Sequence, residues 1–152
     1  MMKLWDKEIS TEQRILNFTT GKDPVYDLDL APFDVLGTMA HTVMLAETDL
    51  ITREEAATLV SELTGIFEEA VDGKLRLEEG VEDIHSQVEM MLTKKLGALG
   101  KKVHTGRSRN DQVMVDIKLF FRDELRKITD EYGISQPLAQ PGAEAIVHLD
   151  RT

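Results

Sequence analysis

The sequence predicts an all-α fold, and three observations carry that prediction. Apolar residues recur at three- and four-residue spacings through most of the chain, as on one buried helix face. No segment alternates apolar and polar residues between turn signals, as a half-buried strand does. The breaks between periodic stretches carry helix punctuation: Ser, Thr or Asp at the starts and glycine at the stops. No internal repeat is present.

Taken in order, Ser10 or Thr11 caps a short helix carrying Ile15, Leu16 and Phe18 and ending near Gly21. Pro32 suits the first turn of a second helix, with Phe33, Leu36, Met39, Ala40, Val43 and Met44 at core spacing. Thr52-Arg53-Glu54-Glu55 has the form of a capping box. The helix behind it sets Ala56, Leu59, Val60, Leu63 and Phe67 on one face and stops near Gly73. A fourth helix opens around Val81-Glu82-Asp83, where acids meet the positive end of the helix dipole. Its apolar stripe is Ile84, Val88, Met91, Leu92 and Leu96, and Gly97 ends it. Asn110 or Asp111 caps the longest helix, along which Val113, Ile117, Phe120, Phe121, Leu125 and Ile128 repeat. The pattern fades after Glu131, where Gly133, Pro137 and Pro141 interrupt it.

Composition limits the function classes. A chain of 152 residues is long enough for one domain with a buried core. Its 41% hydrophobic and 30% charged content fits a soluble globular protein. No apolar run approaches the roughly 20 residues that cross a bilayer, so a membrane span is not expected. The start, Met1 to Glu8, has no apolar stretch with a small-residue cleavage site, so a secretory signal is not expected. The absence of cysteine removes disulfides, thiolate zinc sites and cysteine nucleophiles, and agrees with a reducing cytoplasm. A net charge of −10 argues against nucleic acid and anionic membranes as partners.

One stretch departs from that acidity. Lys101-Lys102-Val103-His104-Thr105-Gly106-Arg107-Ser108-Arg109 holds four cations and no acid. Gly106 permits an unusual backbone angle or a close ligand approach, and two guanidiniums can make paired hydrogen bonds to carboxylates. Ser108 and Asn110 add neutral donors, and the helix that follows points free N–H groups at the same region. Together they suit a dicarboxylate or a phosphate. The alternative is a solvated basic loop whose arginines pair with some of the 28 acids, a common arrangement worth little energy.

The segment His104-Thr105-Gly106-Arg107-Ser108-Arg109-Asn110-Asp111 resembles the HTGRSRND signature of the argininosuccinate lyases, of the fumarase/aspartase superfamily. Leu99 to Lys102 before it and Asp111-Gln112-Val113 after it agree. Glu82-Asp83-Ile84-His85-Ser86-Gln87-Val88-Glu89 resembles the family's EDIH segment, and Asp34 to His41 its DI-G-S-AH helix. The resemblance runs from about residue 3 to residue 130 in one register. Trp5-Asp6-Lys7-Glu8 departs from the family's GGRF. Asp23 stands near a substrate-contacting serine of the family, and no binding role is carried to it.

The resemblance implies β-elimination of argininosuccinate to arginine and fumarate in arginine biosynthesis, without a cofactor. It implies a helical N-terminal domain over residues 1–109, ending in the signature loop. Residues 110–131 become the first long helix of a truncated central helical domain, and residues 132–152 a divergent, poorly ordered tail. It assigns Ser108, Arg109 and Asn110 to substrate binding, with Arg107, Asp83 and His85 as candidates that shape the site. Arg107 can instead hold the loop in shape, and His85 can cap, pack or pair with Glu89 one turn on. No metal site is expected, since His85 has no further ligands at suitable sequence spacing. His41 reads as a satisfied core residue and His104 as support for the loop.

The family's Thr-His pair and its serine- and lysine-bearing loop have no counterpart here, so no general acid or base is named. The expectation is therefore a truncated chain, as a frameshift near residue 131 would leave, and inactive alone. In the intact family three subunits of a homotetramer build each site. Two other readings remain: a non-catalytic association module that keeps the dicarboxylate loop, and a phosphate- or RNA-binding loop protein, which the net charge opposes.

Overall fold

The protein is described by a computed structural model covering residues 23–78, 81 and 83–133. The helix expected over residues 10–21 and most of the expected tail lie outside the described residues. Among the described residues the regular structure is helical, as the apolar periodicity predicts: α1 (Asp23–Glu47), α2 (Arg53–Val71), α3 (Ile84–Leu96), a 3₁₀ segment (Gly100–His104) and α4 (Arg109–Glu131). The chain forms two compact units, residues 1–120 and 121–152.

α1 begins nine residues before the position at which Pro32 was expected to start it, and Pro32 lies inside the helix. An interior proline forfeits one backbone hydrogen bond and crowds the carbonyl four residues back. That cost is opposed by burial on both sides of it, of Ala31, Val35 and Leu45. The buried face also differs from expectation. Leu36, Val43 and Met44 are exposed, whereas Asp34, Thr38 and Thr42 are fully buried beside the apolar residues. Polar groups at core positions had masked the true face.

α2 follows its pattern. Thr52 Oγ1 accepts from Glu55 N, and Glu55 Oε2 accepts from Thr52 N, both at 3.1 Å, closing the capping box. Ala56, Leu59, Leu63, Ile66 and Ala70 are buried, while Val60 and Phe67 lie at the margin. Lys102 reaches back from the 3₁₀ segment to Glu55 Oε1 at 2.5 Å.

α3 starts behind Asp83, whose Oδ1 accepts from Ser86 N at 2.7 Å. Asp27 of α1 accepts from Ile84 N, so two carboxylates satisfy the first free donors of α3. Ile84, Val88 and Leu92 bury the stripe, and the helix ends at Gly97. The chain then turns back so closely that a Cβ on Gly100 would sit 2.5 Å from the carbonyl carbon and oxygen of Leu92.

The cap of α4 is Ser108, two or three residues earlier than expected. Asp111 N donates to Ser108 Oγ at 3.2 Å, and Ser108 Oγ donates to Asp111 Oδ2 at 2.6 Å. Serine prevails because its short hydroxyl reaches the third residue's N–H, as an N-cap must. Within residues 121–133, Lys127 pairs with Asp123 and Glu124, each at 2.8 Å.

Two substitutions test this account by urea unfolding of the 152-residue chain. Thr52→Ala should cost about 1 kcal/mol, the usual loss of a cap. Gly100→Ala should cost about 1–3 kcal/mol, because backbone rather than a flexible side chain must move aside.

Candidate functional site

The signature loop lies between the 3₁₀ segment and α4. His41 of α1 bonds to the Thr105 carbonyl through Nε2 at 2.9 Å, so it is half-buried loop support, more than a core residue. Gly106 follows at φ 70°, a backbone angle that costs any side-chain-bearing residue steric strain. That turn sends the next residues in different directions.

Arg107 points inward. Its Nη1 and Nη2 lie 3.3 and 3.2 Å from Thr38 Oγ1, while its buried Nε has no hydrogen bond. Burial lowers its pKa most, partly countered by Asp34 and Asp116. Ser108 points outward and caps α4. Arg109 is half-buried, with Nη1 3.1 Å from Asp83 Oδ1 and Nη2 3.4 Å from Ser86 Oγ. Asn110 is exposed on the first turn of α4, and its side chain makes no hydrogen bond to the described residues.

Of the site-shaping candidates, Asp83 joins Arg109 directly. Burial raises its carboxyl, but the Ser86 bonds and the Arg109 charge outweigh that and lower it. His85 lies beneath, 5% exposed, and does not pair with Glu89. Its Nδ1 is 2.8 Å from Asp34 Oδ1 and 3.6 Å from Asp116 Oδ2. Gln112 Nε2 also donates to Asp34 Oδ1. Burial lowers His85, yet the Asp34 bond and the charges of Asp34, Asp116 and Asp83 raise it overall. Asp116 is pushed up to about 7, first by burial and then by Asp34, against the pull of His85 and Arg107.

Asp34, Thr38, Gln112 and Asp116 were assigned no role from the sequence. A signal was there: Asp34, Thr38 and Thr42 on α1, and Gln112 and Asp116 on α4, repeat at four-residue steps within otherwise amphipathic helices. Such a polar stripe on a core face implies a buried network. The fold also supplies what sequence spacing did not, since one ligand-capable atom each from Asp34, His85 and Asp116 lies within 4.8 Å of the others. The Arg107 guanidinium lies near enough to feel the charges of Asp34 and Asp116, while its hydrogen bonds go to Thr38.

Beside the loop, a groove of about 770 Å³ runs between α1 and α4. Leu36, Val43, Met44 and Val115 form its apolar wall, and Arg107 and Asp111 its polar end. No helix among the described residues is long and apolar enough to cross a membrane.

An all-helical chain with a cationic loop at a helix N-terminus belongs to a recognisable class. Residues 1–134 match the family described as Lyase, and the chain belongs to that family. It is 52% identical over 128 residues to the argininosuccinate lyase of Bacteroides fragilis, covering 84% of this chain and 29% of that protein. It is 52% identical over 129 residues to that of Phocaeicola vulgatus, covering 85% of this chain and 29% of that protein. With the enzyme of Thermotoga neapolitana the identity is 38% over 128 residues, covering 84% of this chain and 32% of that protein. The chain thus spans under a third of the length of these relatives.

The buried cluster sets a pH dependence. A carboxyl raised by folding binds a proton that the unfolded chain releases, so Asp116 weakens the fold as pH rises from about 4 to 7. Asp27, raised mainly by burial, acts in the same sense. The stabilisation from raised His85 is complete below about pH 6.5 and lost above it, as pH passes the folded value. His41, lowered mainly by burial, opposes them, and the lowered Asp83 acts only below about pH 4. Thermal melts at fixed ionic strength should show Tm falling by about 5–10 °C between pH 5 and pH 8. Asp116→Asn should remove most of that slope; an unchanged slope would show that the cluster does not titrate in this range.

Proposed function

We propose that this chain carries the substrate loop of an argininosuccinate lyase, acting in arginine biosynthesis in the cytoplasm as part of a homotetramer and without a cofactor. One observation carries the reading. Ser108 and Asn110 stand exposed at the start of α4, flanking an Arg109 already oriented by Asp83, within the segment that resembles the family signature.

In the proposed reaction a base removes the proton next to a carboxylate of argininosuccinate. Charge moves into that carboxylate, the carbon–nitrogen bond breaks, and an acid supplies the proton for the departing guanidinium nitrogen. Fumarate and arginine result. Preorganised donors matter most at the carboxylate that gains charge. Asn110 offers an amide N–H and Ser108 a hydroxyl, while Arg109 supplies fixed positive charge. Asp83 holds that guanidinium so that little ordering remains for the binding step. Asp111 already occupies part of the helix end, which leaves the side chains, more than the dipole, to meet an anion. No general acid or base is assigned within residues 1–152, and the chain by itself is proposed to be inactive.

A second reading has its own support. Leu36, Val43 and Met44 on α1 and Met114 and Val115 on α4 are exposed apolar side chains, which suits a non-catalytic association module.

The test is fumarate release from argininosuccinate, followed by ultraviolet absorbance. The purified chain alone should release none. Mixed with a lyase whose own signature segment is disabled, it should restore activity, and Asn110→Ala in this chain should lower the restored rate about 100-fold or more. Co-assembly without restored activity would favour the association module. Release by the chain alone at the rate of an intact lyase would overturn the assignment of proton transfer to residues outside it.

A further inference from the structure

Helices α1, α3 and α4 each send one metal-capable side chain to a single buried point: Asp34, His85 and Asp116. One ligand atom from each lies within 4.8 Å of the others. His85 Nδ1 is 2.8 Å from Asp34 Oδ1 and 3.6 Å from Asp116 Oδ2, and Gln112 Nε2 donates to Asp34 Oδ1. That leaves Asp34 Oδ2 and both oxygens of Asp116 buried without a hydrogen bond. Buried carboxylate oxygens in that state are costly, and a native fold normally gives each a partner. The basic neighbours do not supply one. Arg107 gives its hydrogen bonds to Thr38, and His85 Nδ1 lies in hydrogen-bond reach of Asp34 alone. A proton on Asp116 satisfies one of the three oxygens. A cation among them can serve both carboxylates at once.

We propose that Asp34, His85 and Asp116 form a structural zinc(II) site. His85 Nδ1 binds the ion in its deprotonated form, Asp34 and Asp116 each give an oxygen, and Asp116 has a second free oxygen for the fourth position. Zinc holds such donors at about 2.0–2.2 Å, so two of them on one ion stand no more than about 4.4 Å apart. Both Nδ1 distances lie inside that span, and the two carboxylates need to close by a few tenths of an ångström at most. The donor set selects the ion. Calcium and magnesium take oxygen ligands, whereas an imidazole beside two carboxylates suits zinc. Two carboxylates balance its charge, and Gln112 orients Asp34 from outside, as an outer partner of a metal ligand does. Arg107 faces the same acids, and its charge lowers the affinity without occupying a ligand atom. The ion joins three helices and takes no ligand from Ser108, Arg109 or Asn110, so the proposal stands apart from the reading of that segment.

The experiment uses the untagged 152-residue chain, stripped with a chelator, and zinc chloride as the probe. Calorimetry should show one equivalent bound, and saturating zinc should raise Tm by about 5 °C or more. Asp116→Asn and His85→Gln should each lower the affinity at least about 10-fold. His104→Gln and His148→Gln, which remove histidines outside the cluster, should leave it unchanged. In nitrogen-15 spectra the His85 Nδ1 signal should shift on adding one equivalent. Should both cluster variants fail to fold, that signal in the unaltered chain decides, since an unmoved Nδ1 overturns the proposal. No zinc uptake overturns it as well, and so does uptake that survives His85→Gln but is lost in His104→Gln or His148→Gln.

Discussion

The hydrogen bond between Asp34 and His85, 2.8 Å long and almost wholly buried, joins α1 to α3, and Gln112 brings α4 to the same carboxylate. Three helices distant in sequence therefore share one polar point. Apolar packing alone does not specify such a meeting, because leucine and valine faces tolerate small rotations and slides. A buried carboxylate does not, since each of its partners must lie within hydrogen-bond reach or leave a charge uncompensated. The start of α3 is fixed by the same logic through Asp27 and Asp83. Where α3 begins decides where Asp83 meets Arg109, so the geometry of the exposed loop descends from the buried bond.

Much of this fold was legible because two helices obey simple rules. The capping box at Thr52 and the glycine stop at Gly97 appear in the structure where local chemistry puts them. α1 resisted the same reading. Its exposed side carries Leu36, Val43 and Met44 and its buried side Asp34, Thr38 and Thr42, so hydrophobicity pointed away from the core. Sequence periodicity assumes that polar means outside. That assumption fails when polar groups on separate helices satisfy one another, and the partners, from Asp34 to Asp116, are too far apart in the chain for spacing to reveal them.

The site divides along the same line. Ser108, Arg109 and Asn110 are consecutive, so the chain itself brings their chemistry together. Asp83 and Ser86 hold Arg109, and Thr38 holds the neighbouring Arg107, and only folding assembles those contacts. His85 shows the difference most plainly. Its sequence neighbour Glu89 offered an obvious partner one turn away, but a solvent-side pair of that kind contributes a few tenths of a kcal/mol at most (about 0.2–0.5 kcal/mol). Inside the fold, an unpaired imidazole or carboxylate would cost more than that pair could return, and Asp34 takes the ring.

Arg107 and Arg109 complete the argument, because they are the same residue type two positions apart with opposite situations. Composition treats them alike, and a signature motif names both. What separates them is backbone: the positive φ at Gly106 turns the chain, and the Ser108 cap starts a helix between them. Arg107 is directed inward to Thr38, Arg109 to Asp83 at the surface. A guanidinium drawn inside and held by a hydroxyl is turned away from a ligand, whereas one balanced by a single half-exposed carboxylate keeps donors free for an incoming anion. On the proposed reading the second arginine is the one placed to meet a dicarboxylate, while the first stays inside the fold against Thr38.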